Sequence, residues 1–101
     1  MTTSEGPLTI ELSERGLVVV GEIDAHTAPM LSEAITADER PDLELDMTAI
    51  EFIDSSGLRV LILAHQNLEG RGGILQITNP SPPVKRLFEI SGVDEYLSIT
   101  G

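Results

Sequence analysis

The run Leu17-Val18-Val19-Val20-Gly21-Glu22-Ile23 constrains the fold more than any other stretch of this chain. It is apolar at successive positions and rich in β-branched residues, which suits an interior strand covered on both sides. Ahead of it, Leu8, Ile10 and Leu12 alternate with Thr9 and Glu11 as a half-buried strand does. The glycine-containing turn Ser13-Glu14-Arg15-Gly16 joins the two as a hairpin. Strand and helix patterns then alternate. Asp24 to Pro29 reads as a helix start, with Thr27 or Asp24 able to cap and Pro29 tolerated in the first turn. Leu31, Ala34 and Ile35 follow at helical spacing, and the helix ends before Pro41. Asp42 to Met47 alternates as a strand, and Thr48 to Ile53 reads as a connection.

A second helix is expected from about Ser55 to Glu69. Leu58, Leu61, Ile62 and His65 mark one of its faces, yet Val60, Leu63 and Ala64 are apolar too. Gly70-Arg71-Gly72-Gly73 ends it, with glycine available for a left-handed cap. Ile74 to Ile77 is a short strand. The stretch Thr78 to Pro83 is a turn and cap leading into a third helix with Val84, Leu87 and Phe88 at core spacing, stopped by Ser91-Gly92. Leu97-Ser98-Ile99 is a short extended piece at the end. This order implies an α/β fold: a mixed, mostly parallel sheet with an N-terminal antiparallel hairpin, flanked by helices. Residues 1–6 read as a flexible start and 7–101 as a single domain.

Charge and composition exclude several function classes. The 17 acidic and 6 basic residues give a formal net charge of −11, which disfavours nucleic acid and anionic membranes and suits a basic protein partner. Phe52, Phe88 and Tyr96 are the only aromatic residues, too few for a base-stacking platform. With no cysteine there is no disulfide, thiol nucleophile or thiolate metal site. No apolar run approaches the ~18 residues of a membrane span and no export signal opens the chain, so a cytoplasmic location is expected.

The chemistry concentrates at Phe52-Ile53-Asp54-Ser55-Ser56-Gly57-Leu58. Asp54, Ser55 and Ser56 are all good helix N-caps, although one helix start needs only one. Gly57 is a poor helix former, costing ~1 kcal/mol relative to alanine, which makes sense if another molecule approaches the backbone closely. If Asp54 caps, Ser55 and Ser56 present free hydroxyls where a helix start welcomes negative charge. A phosphate on either would add about −1.5 to −2 charges. These residues alone do not choose between the two serines. Ordinary capping is the bland reading of the same stretch.

A serine hydrolase would need a base and an oxyanion site, and the Gly-x-Ser-x-Gly elbow is absent. His26 and His65 are the only histidines, one in a loop and one on an apolar helical face that suits a boundary or core residue. Metal-binding spacings are absent, although Glu22, Asp24 and Asp46 lie at strand ends. Gly70-Arg71-Gly72-Gly73 lacks the Gly-Lys-Ser/Thr ending of a phosphate-cradling loop.

Three segments together resemble STAS domains, and among them the single-domain anti-sigma factor antagonists of bacteria. These are Gly21 to Ala25 with Thr27-Ala28-Pro29; Asp46-Met47-Thr48 through Phe52 to Leu58; and Asn79-Pro80 with Val84, Leu87 and Ser91-Gly92-Val93. The likeness spans about residues 7 to 100. It implies a regulatory binder rather than an enzyme, with no cofactor of its own. Such proteins bind an anti-sigma factor that is a serine/threonine kinase, and thereby free a sigma factor. The kinase, which brings ATP and magnesium, phosphorylates the second serine of the motif, here Ser56, and a serine phosphatase resets the switch. By the same likeness Asp24 and Asp54 flank the phosphoacceptor and influence recognition or transfer; Ser55, Gly57 and Leu58 complete the recognition segment, and Arg59, next to them, is counted with it. Arg59 is a departure, since many members carry a small or neutral residue there. Some relatives act in other pathways, so a constitutive scaffold module of a stressosome-like complex is the alternative.

Overall fold

The computed structural model describes residues 2–5 and 7–101. The chain runs β1 (Thr2–Glu5), β2 (Leu8–Leu12), β3 (Gly16–Ile23), α1 (Ala28–Ala37), β4 (Asp42–Ile53), α2 (Ser55–Gly70), β5 (Ile74–Thr78), α3 (Pro82–Ser91) and β6 (Ser98–Thr100), with a 3₁₀ turn over Val93–Glu95. The strands form one six-stranded sheet in sequence order. β1–β2 and β2–β3 are antiparallel, and the remaining pairs are parallel. Each parallel step is a crossover, and α1, α2 and α3 supply the first, second and third. The mixed α/β sheet read from the sequence is therefore the architecture found. Thr2–Glu5, read as part of a loose start, instead pair with Leu8–Glu11.

One aliphatic cluster holds the layers together. Leu17, Val19 and Ile23 of β3, Leu43, Leu45 and Met47 of β4, and Leu75 and Ile77 of β5 face it. Leu31 and Ile35 of α1, Leu61 and Leu68 of α2, and Val84 and Phe88 of α3 close it. A fully buried Leu or Phe of this kind stabilises the fold by roughly 1.5–3 kcal/mol. The opposite face of the sheet is not covered in the same way. Val20 is 41% exposed, and Val18, Glu44, Asp46, Gln76 and Thr78 are half-buried. The run 17–23 thus has one covered face, not two. Its valines on the second face reflect β-branched preference for a pleated surface rather than burial.

Residues 48–53 are not a connection; they continue β4, which is twelve residues long. Met47, Ile50 and Ile53 are all buried although they are spaced by three. A regular strand would turn Ile50 to the other face. Two register shifts against β3 solve this: Val18 pairs with Asp46 but Val20 with Ala49, and Gly21 pairs with Ile50 but Glu22 with Phe52. Each places one extra residue on β4, a bulge that re-aims the following side chains. Asp46 Oδ1 anchors the first by accepting from the Thr48 amide (3.0 Å) and hydroxyl (2.7 Å). On the other side β5 ends at Thr78, opposite Asp46. There Ser81, which precedes α3, takes over, its amide donating to the Met47 carbonyl and its hydroxyl to that of Ile50.

A second fixture ties the hairpin to the end of α1. Arg40 donates to the Ser13, Glu14 and Gly16 carbonyls at 2.8, 2.9 and 3.0 Å. Asp38 holds the same guanidinium at 2.9 and 2.6 Å. The hydrogen bonds from Arg40 hold the Asp38 carboxyl below the usual carboxylate range.

Candidate functional site

Parallel strands β3 and β4 end side by side, Ile23 opposite Ile53. An aspartate follows each. The Asp54 amide donates to the Ile23 carbonyl at 3.1 Å, so the two turns leave the sheet together. Asp54 then caps α2: its Oδ1 accepts from the Ser56 amide (2.9 Å) and the Gly57 amide (3.2 Å), and its carbonyl takes the first helical bond from Leu58 (3.0 Å). This satisfies donors that a helix start otherwise leaves orphaned.

Asp24 organises the neighbouring turn. Its Oδ1 accepts from the His26 amide (2.9 Å), the Thr27 amide (3.0 Å) and the Thr27 hydroxyl (3.2 Å). The Thr27 amide contributes most to holding the Asp24 carboxyl below its ordinary range. Thr27 is fully buried, and its hydroxyl also reaches the Glu22 carbonyl at 3.0 Å and accepts from the Asp24 amide at 2.9 Å. It is the N-cap residue of α1 by position, but its side chain caps nothing. Asp24 and Thr27 thus brace the turn together rather than serving as alternative caps.

Ser55 is exposed and Ser56 half-buried. Among the described residues neither hydroxyl is engaged in a hydrogen bond. Both open into a shallow cleft shared with Leu58, Arg59, Ile62, Leu63, Gln66 and Val93. Leu63 is 52% exposed, and the Gln66 amide donates to the Tyr96 hydroxyl at 2.9 Å. Phe52, the residue before Ile53, is 48% exposed. Hydroxyls, a cation and an apolar wall therefore meet in one open cleft. An anion at Ser55 or Ser56 sits at the positive end of the α2 dipole, which favours it by ~0.3–1 kcal/mol.

Gly57 is buried, and the reason differs from the one read in the sequence. A Cβ there would lie 2.5 Å from Ile53 Cγ1 and 2.7 Å from Ile23 Cγ2. The missing side chain lets α2 sit down on the strand ends; it does not open the backbone to another molecule. Leu58 is half-buried and packs on the core. Arg59 is exposed.

The remaining candidates separate. His65 is 8% exposed, 3.4 Å from Glu69 and edge-on to Tyr96 with ring centroids 5.0 Å apart. Nine residues along α2 it is ~13 Å from Ser56, beyond reach as its base. Asp46 lies at the first bulge, bonded to Thr48, and not beside Asp24 and Asp54. Among the described residues no group of three or more metal-ligating side chains is placed to hold an ion, and no helix is long and apolar enough to cross a membrane.

The sequence reading missed Ile62, Leu63, Gln66, Val93 and Tyr96 as part of this surface. One signal was available: α2 carries more apolar residues than one buried face requires.

Comparison with known proteins agrees with this geometry. The STAS domain family model matches residues 9–100. The anti-sigma-B factor antagonist of Listeria monocytogenes is 35% identical over 100 residues, covering 91% of this chain and 88% of its own. An anti-sigma factor antagonist from Mycobacterium paratuberculosis superposes with a TM-score of 0.74 at 32% identity, over 91% of this chain and 82% of that one. The anti-sigma factor antagonist SpoIIAA in its unphosphorylated form gives 0.70 at 25% identity, over 93% and 88%. With a sheet, a capped helix start and relatives of this kind, the chain belongs to the STAS domain family.

Proposed function

We propose that this protein is an anti-sigma factor antagonist gated by phosphorylation of Ser56. The observation that carries the reading is the placement of Ser56: half-buried, with its hydroxyl unengaged among the described residues, in the first turn of a helix already capped by Asp54. The curated relatives, the anti-sigma-B factor antagonists among them, support the output side. In its unmodified form the chain binds an anti-sigma factor that is itself a serine kinase, through the apolar cleft wall of Leu58, Ile62 and Leu63 and the acidic rim of Asp24 and Asp54. Binding releases the sigma factor.

Phosphorylation reverses this. The Ser56 oxygen attacks the γ-phosphorus of ATP held by the kinase, an O–P bond forms, the bond to the β-phosphate oxygen breaks, and ADP and the hydroxyl proton leave. The new group adds about −1.5 to −2 charges beside two carboxylates and in front of apolar side chains. A dianion buried against apolar side chains at such an interface is strongly disfavoured, so the complex dissociates. The fold tolerates the change, because the Ser56 hydroxyl is not used by the fold and opens into a cleft. A serine phosphatase returns the chain to its binding form.

The test is transfer from such a kinase and ATP, read by intact mass and fragment spectra. One phosphate is expected, on Ser56, and none on Ser56→Ala. Transfer to Ser56→Ala at the wild-type rate, through Ser55, would overturn the assignment. Ser56→Glu should weaken kinase binding at least tenfold by calorimetry. Retained binding with no phosphorylation would instead indicate a constitutive, stressosome-like scaffold in which the serines only line the helix start.

A further inference from the structure

The cation beside the serines has no role in the architecture. Arg40 is consumed by Asp38 and three carbonyls, and Arg15 pairs with Glu44 at 3.6 Å. Arg59 lines the same cleft as Ser55 and Ser56, is exposed, and has no carboxylate within ion-pair distance among the described residues. It lies three positions after Ser56 on α2. Residues so spaced are surface neighbours, with Cβ atoms about 5–6 Å apart.

The helix start itself is already spoken for. The Ser56 and Gly57 amides both donate to Asp54 Oδ1, and the Leu58 amide donates to the Asp54 carbonyl. A phosphate on Ser56 therefore cannot settle onto these amides without displacing the cap. The charged residues on the segments that meet here are Asp54 at the cap, Asp24 at the adjoining strand end with His26 two residues on, Arg59 in the cleft, and Asp94 and Glu95 in the turn that brings Val93 to it. Of these, Arg59 is the permanent cation.

We infer that Arg59 is the internal counter-charge of the phosphorylated state: once Ser56 carries a phosphate, the guanidinium folds over the first turn of α2 and pairs with it. This rests on Ser56 being the phosphoacceptor. A planar guanidinium suits two phosphate oxygens at once. The consequence is a two-part switch. In the unmodified chain Arg59 is free to meet an acidic group on a partner. After modification the same cation is withdrawn into the chain, so one phosphate both adds negative charge and removes the local positive one.

The experiment uses the full chain with phosphoserine genetically encoded at position 56, so that no kinase is needed. Phosphorus NMR then follows the second ionisation of the phosphate, whose ordinary midpoint is about 6. Arg59→Gln should raise that midpoint by about half a pH unit or more, because the dianion loses its partner, and Arg59→Lys should recover part of the shift. Unmodified Arg59→Gln should keep the wild-type urea midpoint, since a purely structural residue would move stability and not the phosphate titration. An unchanged phosphate midpoint in Arg59→Gln overturns the inference. Failure of kinase transfer to Ser56 in the wild-type chain, with the NMR shift present, overturns the phosphorylation reading instead.

Discussion

Gly57 shows how a single residue can serve a site without touching a ligand. Ile23 and Ile53 occupy the space where its side chain would be, and they are also the residues that bring the two strand ends level. Alanine would gain helix propensity, up to ~1 kcal/mol, but would force a methyl into two isoleucines, which costs about 1–3 kcal/mol. Gly57→Ala should therefore lower stability by about 1 kcal/mol, read as a lower urea midpoint at unchanged slope. A stabilised variant would show that α2 can tilt freely on the strands. The sequence flags this glycine as out of place in a helix, but not why. The reason is the positions of Ile23 and Ile53, thirty residues apart in sequence, which no local pattern contains. The cap at this helix start was legible for the opposite reason: it is a relation among residues 54 to 57, whose composition names the candidates, and the hydrogen bonds select Asp54.

At the scale of elements, local signals located the helices well. Pro29, Pro82 and Gly92 punctuate them, and Gly92 does adopt the left-handed conformation of a helix stop, with φ 81°. The second half of β4 was hidden because Met47, Ile50 and Ile53 repeat every three residues, a spacing foreign to an unbulged strand. β1 was hidden because Thr-Thr-Ser-Glu has no apolar alternation; it is recruited by the neighbouring strand's ladder. The Asp38–Arg40 fixture was equally unmarked, since its partners are backbone carbonyls of the distant hairpin. It carries a pH signature. The Asp38 carboxyl is held below its unfolded value, so its contribution is fully present above the ordinary carboxylate range and is lost as pH falls through the lowered native value. Asp38→Asn should cost about 1 kcal/mol at pH 7, and its urea midpoint should converge on the wild type between about pH 5 and 2. A gap that stayed constant with pH would mean the carboxylate's charge contributes nothing.

For the whole molecule the dominant property is charge. Its extents are 30 × 29 × 23 Å, and its formal charge is −11. At 0.01 M salt the Debye length is ~30 Å, so every carboxylate feels every other; at 0.15 M it is ~8 Å, and only neighbours do. Raising salt across this range should increase the thermal midpoint by a few degrees, on the order of 1 kcal/mol of relieved self-repulsion. Scanning calorimetry at fixed pH checks it, and a falling midpoint would mean that favourable ion pairs outweigh the repulsion.

The bulges in β4 have a consequence of alignment. Gly16 stands opposite Glu44, so an unbroken parallel register would set Ile23 against Glu51. Asp54 would then overrun Asp24 by two residues, about 7 Å along the strand. Two inserted residues absorb that difference, as a vernier absorbs a fraction of a division. Ile23 meets Ile53, and the two aspartates that follow them leave the sheet abreast, tied by the Asp54 amide on the Ile23 carbonyl. The alignment of the two turns is thus set inside the sheet, in whole residues, well below the surface that carries the serines.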